Sequence, residues 1–124
     1  MGNSPLRDKS YVFAAQIVRL VRDLQSEKKE YVLSKQLLRS GTAIGALLRE
    51  AEFGQSHADF INKLNVALKE ANETEYWLSL LKDTDYLNIA EFENRIAECK
   101  ELIAMLVSSI KTLKTKSEKI KVER

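Results

Sequence analysis

In LLRSGTAIGALLRE, residues 37–50, two glycines sit among aliphatic side chains in the middle of the chain. A ligand-cradling loop would avoid the roughly 1 kcal/mol that each glycine costs inside a helix. A loop, however, would split the line Leu33, Leu37, Ser40, Ile44, Leu47 and Ala51, which follows the alternating three-and-four spacing of one helix face. The stretch also lacks the lysine and the second turn of a phosphate-binding loop. It therefore predicts a helix over 31–53. Gly41 and Gly45 share a face with Leu38 and Leu48 and form a bare strip where another helix backbone can come close.

The same spacing marks three further helices. Residues 8–25 align Phe13, Ile17, Leu20 and Leu24, and residues 57–82 align Phe60, Leu64, Ala67, Ala71, Thr74, Leu78 and Leu81. Residues 89–116 align Phe92, Ile96, Cys99, Ile103, Leu106, Ile110 and Leu113. Gly54-Gln55-Ser56 can end the second helix on a left-handed glycine, and Ser56 can cap the third with Asp59 three residues on. Asn88 and Glu91 repeat that spacing at the fourth helix. The polar joint Ser26-Glu27-Lys28-Lys29-Glu30 has no glycine and is the least defined. Short joints make neighbours antiparallel, which predicts an all-α, up-down-up-down four-helix bundle in one domain, 1–124, with a basic tail over 117–124.

Composition agrees with this reading. One proline and four glycines in 124 residues leave too few turn residues for a sandwich or barrel, while 31% charged and 44% hydrophobic residues describe a folded chain. Cys99 is alone, no apolar run approaches the roughly 18 residues of a membrane span, and no signal peptide opens the chain. A cytoplasmic protein that does not enter the membrane is expected.

Catalytic chemistry finds little material. A di-iron bundle needs Glu-x-x-His on two helices, and the one histidine, His57, stands at a helix start. One Cys and one His far apart do not make a zinc site. Cys99 lies on a core line, where a thiol behaves as a small hydrophobe. Glu70, Glu73 and Glu75 crowd one stretch, yet nothing in the sequence supplies a cleft for acid–base work, so a solvated or interface face is the better reading. No enzyme activity, metal or cofactor is expected.

Charge is more informative. Residues 1–53 carry nine Lys/Arg against six Asp/Glu, residues 54–110 five against ten, and residues 111–124 six against two. On the second helix Lys35, Arg39 and Arg49 point roughly one way, with Thr42 and Ala46 on the same line, and Arg19 and Arg22 can extend that surface from the first helix. Such a stripe suits the phosphate backbone of RNA or DNA through counterion release. It equally suits a solvated face or ion pairing with a neighbour. Lys111, Lys114, Lys116, Lys119, Lys121 and Arg124 form a second basic candidate, although such tails also complement a helix dipole. Ile61, Leu68, Trp77, Leu102, Val107, Val12, Val18, Tyr31 and Val32 exceed what four core lines need, which predicts self-association. Opposite charge on the two halves favours a head-to-tail contact that closes into a ring.

From about Ser10 to Leu113 the chain resembles a bacterial family of four-helix-bundle proteins encoded in intervening sequences of large-subunit ribosomal RNA genes. The accessory variability proteins of diversity-generating retroelements are related to it. The family's first helix has a spaced Phe and Ala, matched by Phe13 and Ala14 or Ala15. Its second helix reads Gln-Leu-Arg-Arg-(Ala/Ser), then Ser-Ile, then Asn-Ile-Ala-Glu-Gly; Gln36-Leu37-Leu38-Arg39-Ser40, Ala43-Ile44 and Leu47-Leu48-Arg49-Glu50-Ala51 stand there. Asp59-Phe60, Glu70, Glu73 and Tyr76-Trp77-Leu78 resemble the third helix. Leu47 replaces the usual Asn and Arg49 a small residue. The resemblance implies a bundle assembled as a ring, typically a pentamer, without enzyme activity. In the retroelement branch it implies binding of nucleic acid and a reverse transcriptase. The combined expectation is a non-enzymatic homo-oligomer that binds RNA or DNA through Lys35, Arg39, Arg49, Arg19 and Arg22; the alternative is a structural or protein-binding assembly with no nucleic-acid role.

Overall fold

The computed structural model describes residues 4–123, with side chains through residue 119. Four helices follow one another: α1 (Pro5–Ser26), α2 (Leu33–Glu52), α3 (His57–Asp83) and α4 (Ile89–Glu123). Residues 37–50 lie within the uninterrupted α2. α1 starts earlier than the apolar spacing predicts because Ser4 caps it, accepting from the Arg7 N–H at 3.3 Å, and Pro5 supplies a pre-set first-turn φ. α4 runs on to Glu123, so the segment read as a tail over 117–124 is helical through that residue. The Lys121 side chain and Arg124 lie outside the described residues.

Contacts across the joints establish the directions. α1 and α2 run antiparallel: Arg7 pairs with Glu52 at one end and Gln25 with Ser34 at the other. Ser40–Thr74 and Glu50–Lys63 do the same for α2 and α3, and Ala71–Cys99 with His57–Leu113 for α3 and α4. Each helix packs on its sequence neighbour, and α4 closes the square against α1 along the thinnest seam.

The core follows the predicted lines except on α2, where Leu48 is buried in place of the half-buried Leu47, and at Leu33, Phe60, Phe92, Ile96, Ile103 and Leu113, which are half-buried. Phe13, Ile17, Leu24, Leu37, Ile44, Leu64, Leu78, Leu81, Leu106 and Cys99 are fully buried. Leu102, read as flanking apolar surface, belongs to the core instead, because α4 turns that side toward the α1 seam. Ile61, Leu68 and Trp77 are half-buried within the chain, whereas Val12, Val18, Tyr31, Val32 and Val107 are exposed.

Gly41 explains the glycine strip. A Cβ there would lie 2.9 Å from Ile17 Cγ2, so α1 presses into the space where a side chain is missing. Gly45 faces Ser10 with ordinary clearance, 3.4 Å from its Oγ.

Two joints differ from expectation. Gly54 is not left-handed, and among the described residues no glycine has positive φ. Its N–H bonds to the Ala51 carbonyl at 3.1 Å, and a Cβ would meet Asp59 Oδ2 at 2.8 Å. Close approach of the Asp59 carboxylate, not backbone handedness, marks this position, and that side-chain tip can turn aside for a Cβ. At the first joint the left-handed residue is Lys29 (φ 57°). It turns Glu30 inward, whose carboxylate accepts from the N–H groups of Val32, Leu33 and Ser34 at 3.1, 3.0 and 2.6 Å. Burial raises the Glu30 pKa, and these amides from Ser34, Leu33 and Val32 outweigh it and hold the group below the ordinary glutamate value. Ser56 and Asn88 cap α3 and α4 as their spacing predicts, accepting from the N–H groups of Asp59 and Glu91 at 3.0 and 2.8 Å.

Candidate nucleic-acid interface

The first hairpin, α1 with α2, carries all five singled-out cations. Its register puts Arg22 and Lys35 near the first joint, Arg19 one turn back along α1, and Arg49 toward the far end of α2. Lys35 and Arg49 are thus about 21 Å apart along the helix axis at 1.5 Å per residue. Arg19, Arg22, Lys35 and Arg49 are all exposed. Arg19 donates to the neutral Gln16 Oε1 at 3.3 Å. Among the described residues, no carboxylate forms an ion pair with any of these four.

Arg39 is differently placed. Its Nη1 donates to Glu70 Oε1 at 3.1 Å, its Nη2 to Glu73 Oε1, and its Nε to Gln36 Oε1 at 3.4 Å. Trp77 Nε1 donates to the same Glu73 oxygen at 3.2 Å, and the Tyr76 ring stands edge-on to Trp77 with centroids 5.0 Å apart. The glutamates, Glu73 first, raise the Arg39 pKa, and the Trp77 indole together with Arg39 holds the Glu73 carboxyl below its ordinary value. Arg39 is therefore a brace from α2 to α3, and the crowded Glu70 and Glu73 are its counter-charges. Glu75 lies nearby in sequence but is not among Arg39's partners.

The brace was open to inference from the joint. Antiparallel helices hinged near Gly54–Ser56 pair residues equally spaced on either side, which sets Glu50 against Lys63, Arg39 against Glu73 and Ser40 against Thr74. What hid it is that the spacing along α2 groups Arg39 with Lys35 and Arg49, without weighting the side on which α3 lies.

Arg49 stands between two shallow grooves. One, of about 510 Å³, runs between α1 and α2 beside Tyr11, Val12 and Ala46; the other, of about 840 Å³, lies along the α2–α3 joint beside Phe53 and Gly54. Asp8 borders the first groove, and Glu50 and Asp59 border the second, so Arg49 is a cation among mixed charges. Arg22, Arg19 and Lys35 form the cleaner basic end.

Cys99 is wholly buried. Its thiol donates to the Ala71 carbonyl at 3.2 Å, and burial pushes its pKa up to about 12, far from a reactive thiolate near neutral pH. His57 lies at the start of α3 with Nε2 3.4 Å from the Leu113 carbonyl oxygen. Among the described residues no group of three or more His, Cys, Asp or Glu is placed to hold a metal, and no helix is long and apolar enough to cross a membrane.

Residues 3–108 match the family described as 23S rRNA-intervening sequence protein. The chain is also similar to the crystal structure of a protein of unknown function from the S23 ribosomal protein family of Bacteroides thetaiotaomicron VPI-5482. Identity is 57%, the match covers 86% of this chain and 98% of that one, and the TM-score is 0.85. No curated protein matches the chain.

Proposed function

The chain belongs to the 23S rRNA-intervening sequence protein family, and from that premise we propose that it is a non-enzymatic, self-associating four-helix bundle that binds RNA or DNA in the cytoplasm. The contacts in this reading are Arg19, Arg22, Lys35 and Arg49, with Arg39 reassigned as the brace that holds α2 in place. The observation that carries it is that, among the described residues, these four exposed cations on one hairpin have no carboxylate paired with them, while the glutamates of the acidic second half pair with other cations. Unpaired arginines and lysines on a rigid hairpin can exchange their counterions for phosphates without first breaking an internal bridge. Copies joined in a ring would repeat the surface and raise avidity without new contacts.

Anisotropy of a fluorescent 30-nucleotide RNA and a 30-base-pair DNA, titrated at rising salt, tests this. The expected result is an affinity that falls log-linearly with salt, and a markedly shallower slope for Arg19→Gln/Arg22→Gln/Lys35→Gln/Arg49→Gln. A salt-independent response overturns the reading.

A second reading, a protein-binding or structural assembly, is favoured by the exposed Tyr11, Val12 and Val18 on α1 and Phe53 after α2. A mass heavier than one chain in 1 M salt, combined with no affinity for either nucleic acid, would support it over the first. Co-purification with a reverse transcriptase would place the chain in the retroelement branch.

A further inference from the structure

We propose that the end of α4, from Lys111 onward, is a second phosphate-binding element: a basic rod that runs past the bundle and lies between the phosphate strands of a nucleic acid. This rests on the nucleic-acid reading above and adds a place and a geometry to it.

The rod is defined by where its neighbours stop. α3 begins at His57, whose ring meets the Leu113 carbonyl, and Leu113 is half-buried against the core. Ser109, Thr112 and Leu113 share a groove with Ser4, Pro5 and Phe60 at the starts of α1 and α3, and α4 continues from there to Glu123, about 15 Å further at 1.5 Å per residue. Lys111, Lys114, Thr115, Lys116, Glu118 and Lys119 are exposed. The family match ends at residue 108, so the rod lies beyond the shared body of the bundle.

Its chemistry selects the partner. Between residues 111 and 119 four lysines face one glutamate, Glu118. At about 100° per residue the four ammonium groups spread over roughly 200° of the helix circumference, wider than a single stripe. A helix lying on a membrane needs an apolar side opposite its charges; beyond Leu113, which the core holds, the rod has two apolar residues, Ile120 and Val122, which at about 100° per residue fall on nearly opposite sides and make no common face. A flat acidic protein surface would use one side of the rod and leave the others unmatched. A groove flanked by phosphates on both sides uses them all, and the major groove of a duplex admits an α-helix.

The test uses the full chain and two variants, Lys111→Gln/Lys114→Gln/Lys116→Gln/Lys119→Gln and the outer, exposed pair Lys116→Gln/Lys119→Gln. Glutamine keeps the helix propensity, and circular dichroism checks that the helix content is unchanged. Anisotropy against the labelled DNA and RNA is read as the slope of log affinity on log salt. On duplex DNA each lost phosphate contact lowers the slope by about 0.9, so the quadruple variant is expected to lose about 2–4 units and the pair about half of that. Unchanged slopes in both variants, with binding still weakened by the α1–α2 substitutions, overturn the rod and leave the parent reading standing. Lost binding in the rod variants with none lost in the α1–α2 variant supports the rod and removes the four-cation face. No binding by the unaltered protein overturns both. Binding to vesicles of phosphatidylserine and phosphatidylcholine in place of nucleic acid, or a rod variant that changes only the oligomer's mass, also overturns the proposal.

Discussion

The seam between α1 and α2 and the seam between α2 and α3 use one shared helix in opposite ways. Toward α1, α2 offers missing side chains: Gly41 takes Ile17 into its empty Cβ position, and Gly45 lies against Ser10. Toward α3 it offers polar groups: Ser40 shares a buried hydrogen bond of 2.9 Å with Thr74, and Arg39 grips Glu70 and Glu73. The first seam is set by shape and tolerates no added volume where it is tightest. The second is set by matched donors and acceptors, which penalise a missing partner more than a missing atom.

The largest expected effect breaks the shape-built seam. Gly41→Val must push Ile17, a fully buried side chain, out of its place; the expected loss is about 3 kcal/mol in urea unfolding, even after the helix-propensity gain over glycine. Gly45→Ala is the control on the same strip. Its Cβ would make ordinary contacts, so a gain of about 0.5–1 kcal/mol is expected, and a loss comparable to Gly41→Val would show the strip to be uniformly tight.

On the polar seam, Thr74→Val leaves Ser40 with only its long 3.5 Å bond to the Leu37 carbonyl and is expected to cost about 1–2 kcal/mol. Adding Ser40→Ala should recover part of that loss in a double-mutant cycle, whereas strict additivity would mean that the two hydroxyls do not depend on each other.

A smaller effect, about 1 kcal/mol, is expected from Glu30→Ala, which strips the cap from α2. Its sign with pH follows from the lowered pKa. The contribution is complete above the ordinary glutamate value of 4.5 and disappears as pH falls through the lower folded value. Wild type and Glu30→Ala should therefore converge in stability below that range, and a constant gap at pH 3 would remove the carboxylate from the account.

The smallest effect belongs to Arg39→Gln. Its guanidinium is half exposed, so the bridge contributes below about 1 kcal/mol and less in high salt. A change in nucleic-acid affinity with no change in unfolding would return Arg39 to the binding surface.

These contrasts also explain what the sequence made legible. Apolar spacing located all four helices, because burial enforces a period that survives in the residue order: Phe13 to Leu24 and Leu64 to Leu81 are buried as aligned. The glycine strip was legible for the same reason. Features that depend on one side chain reaching across a joint were not. Glu30 caps α2 only because Lys29 takes a left-handed turn that no glycine announces. The start of α1 was marked by Ser4-Pro5, a cap and a first-turn proline, which an apolar count does not register. At the candidate site, the positions of Arg19, Arg22, Lys35 and Arg49 on the hairpin were readable from spacing, while the engagement of Arg39 required knowing which side of α2 faces α3.

The thin contact between α1 and α4 has a consequence for how the molecule forms. Nearly all of the packing joins helices that are consecutive in the chain, and only this last seam brings the two ends of the sequence together. Each hairpin can zip locally with a short loop to close, and such topologies fold on the microsecond-to-millisecond scale. The remaining closure is the α1–α4 edge, where Phe13 and Leu102 line one groove beside the Lys9–Glu101 bridge. Within the packed body of the bundle, amide hydrogens along that edge should exchange with solvent before those of the other three seams.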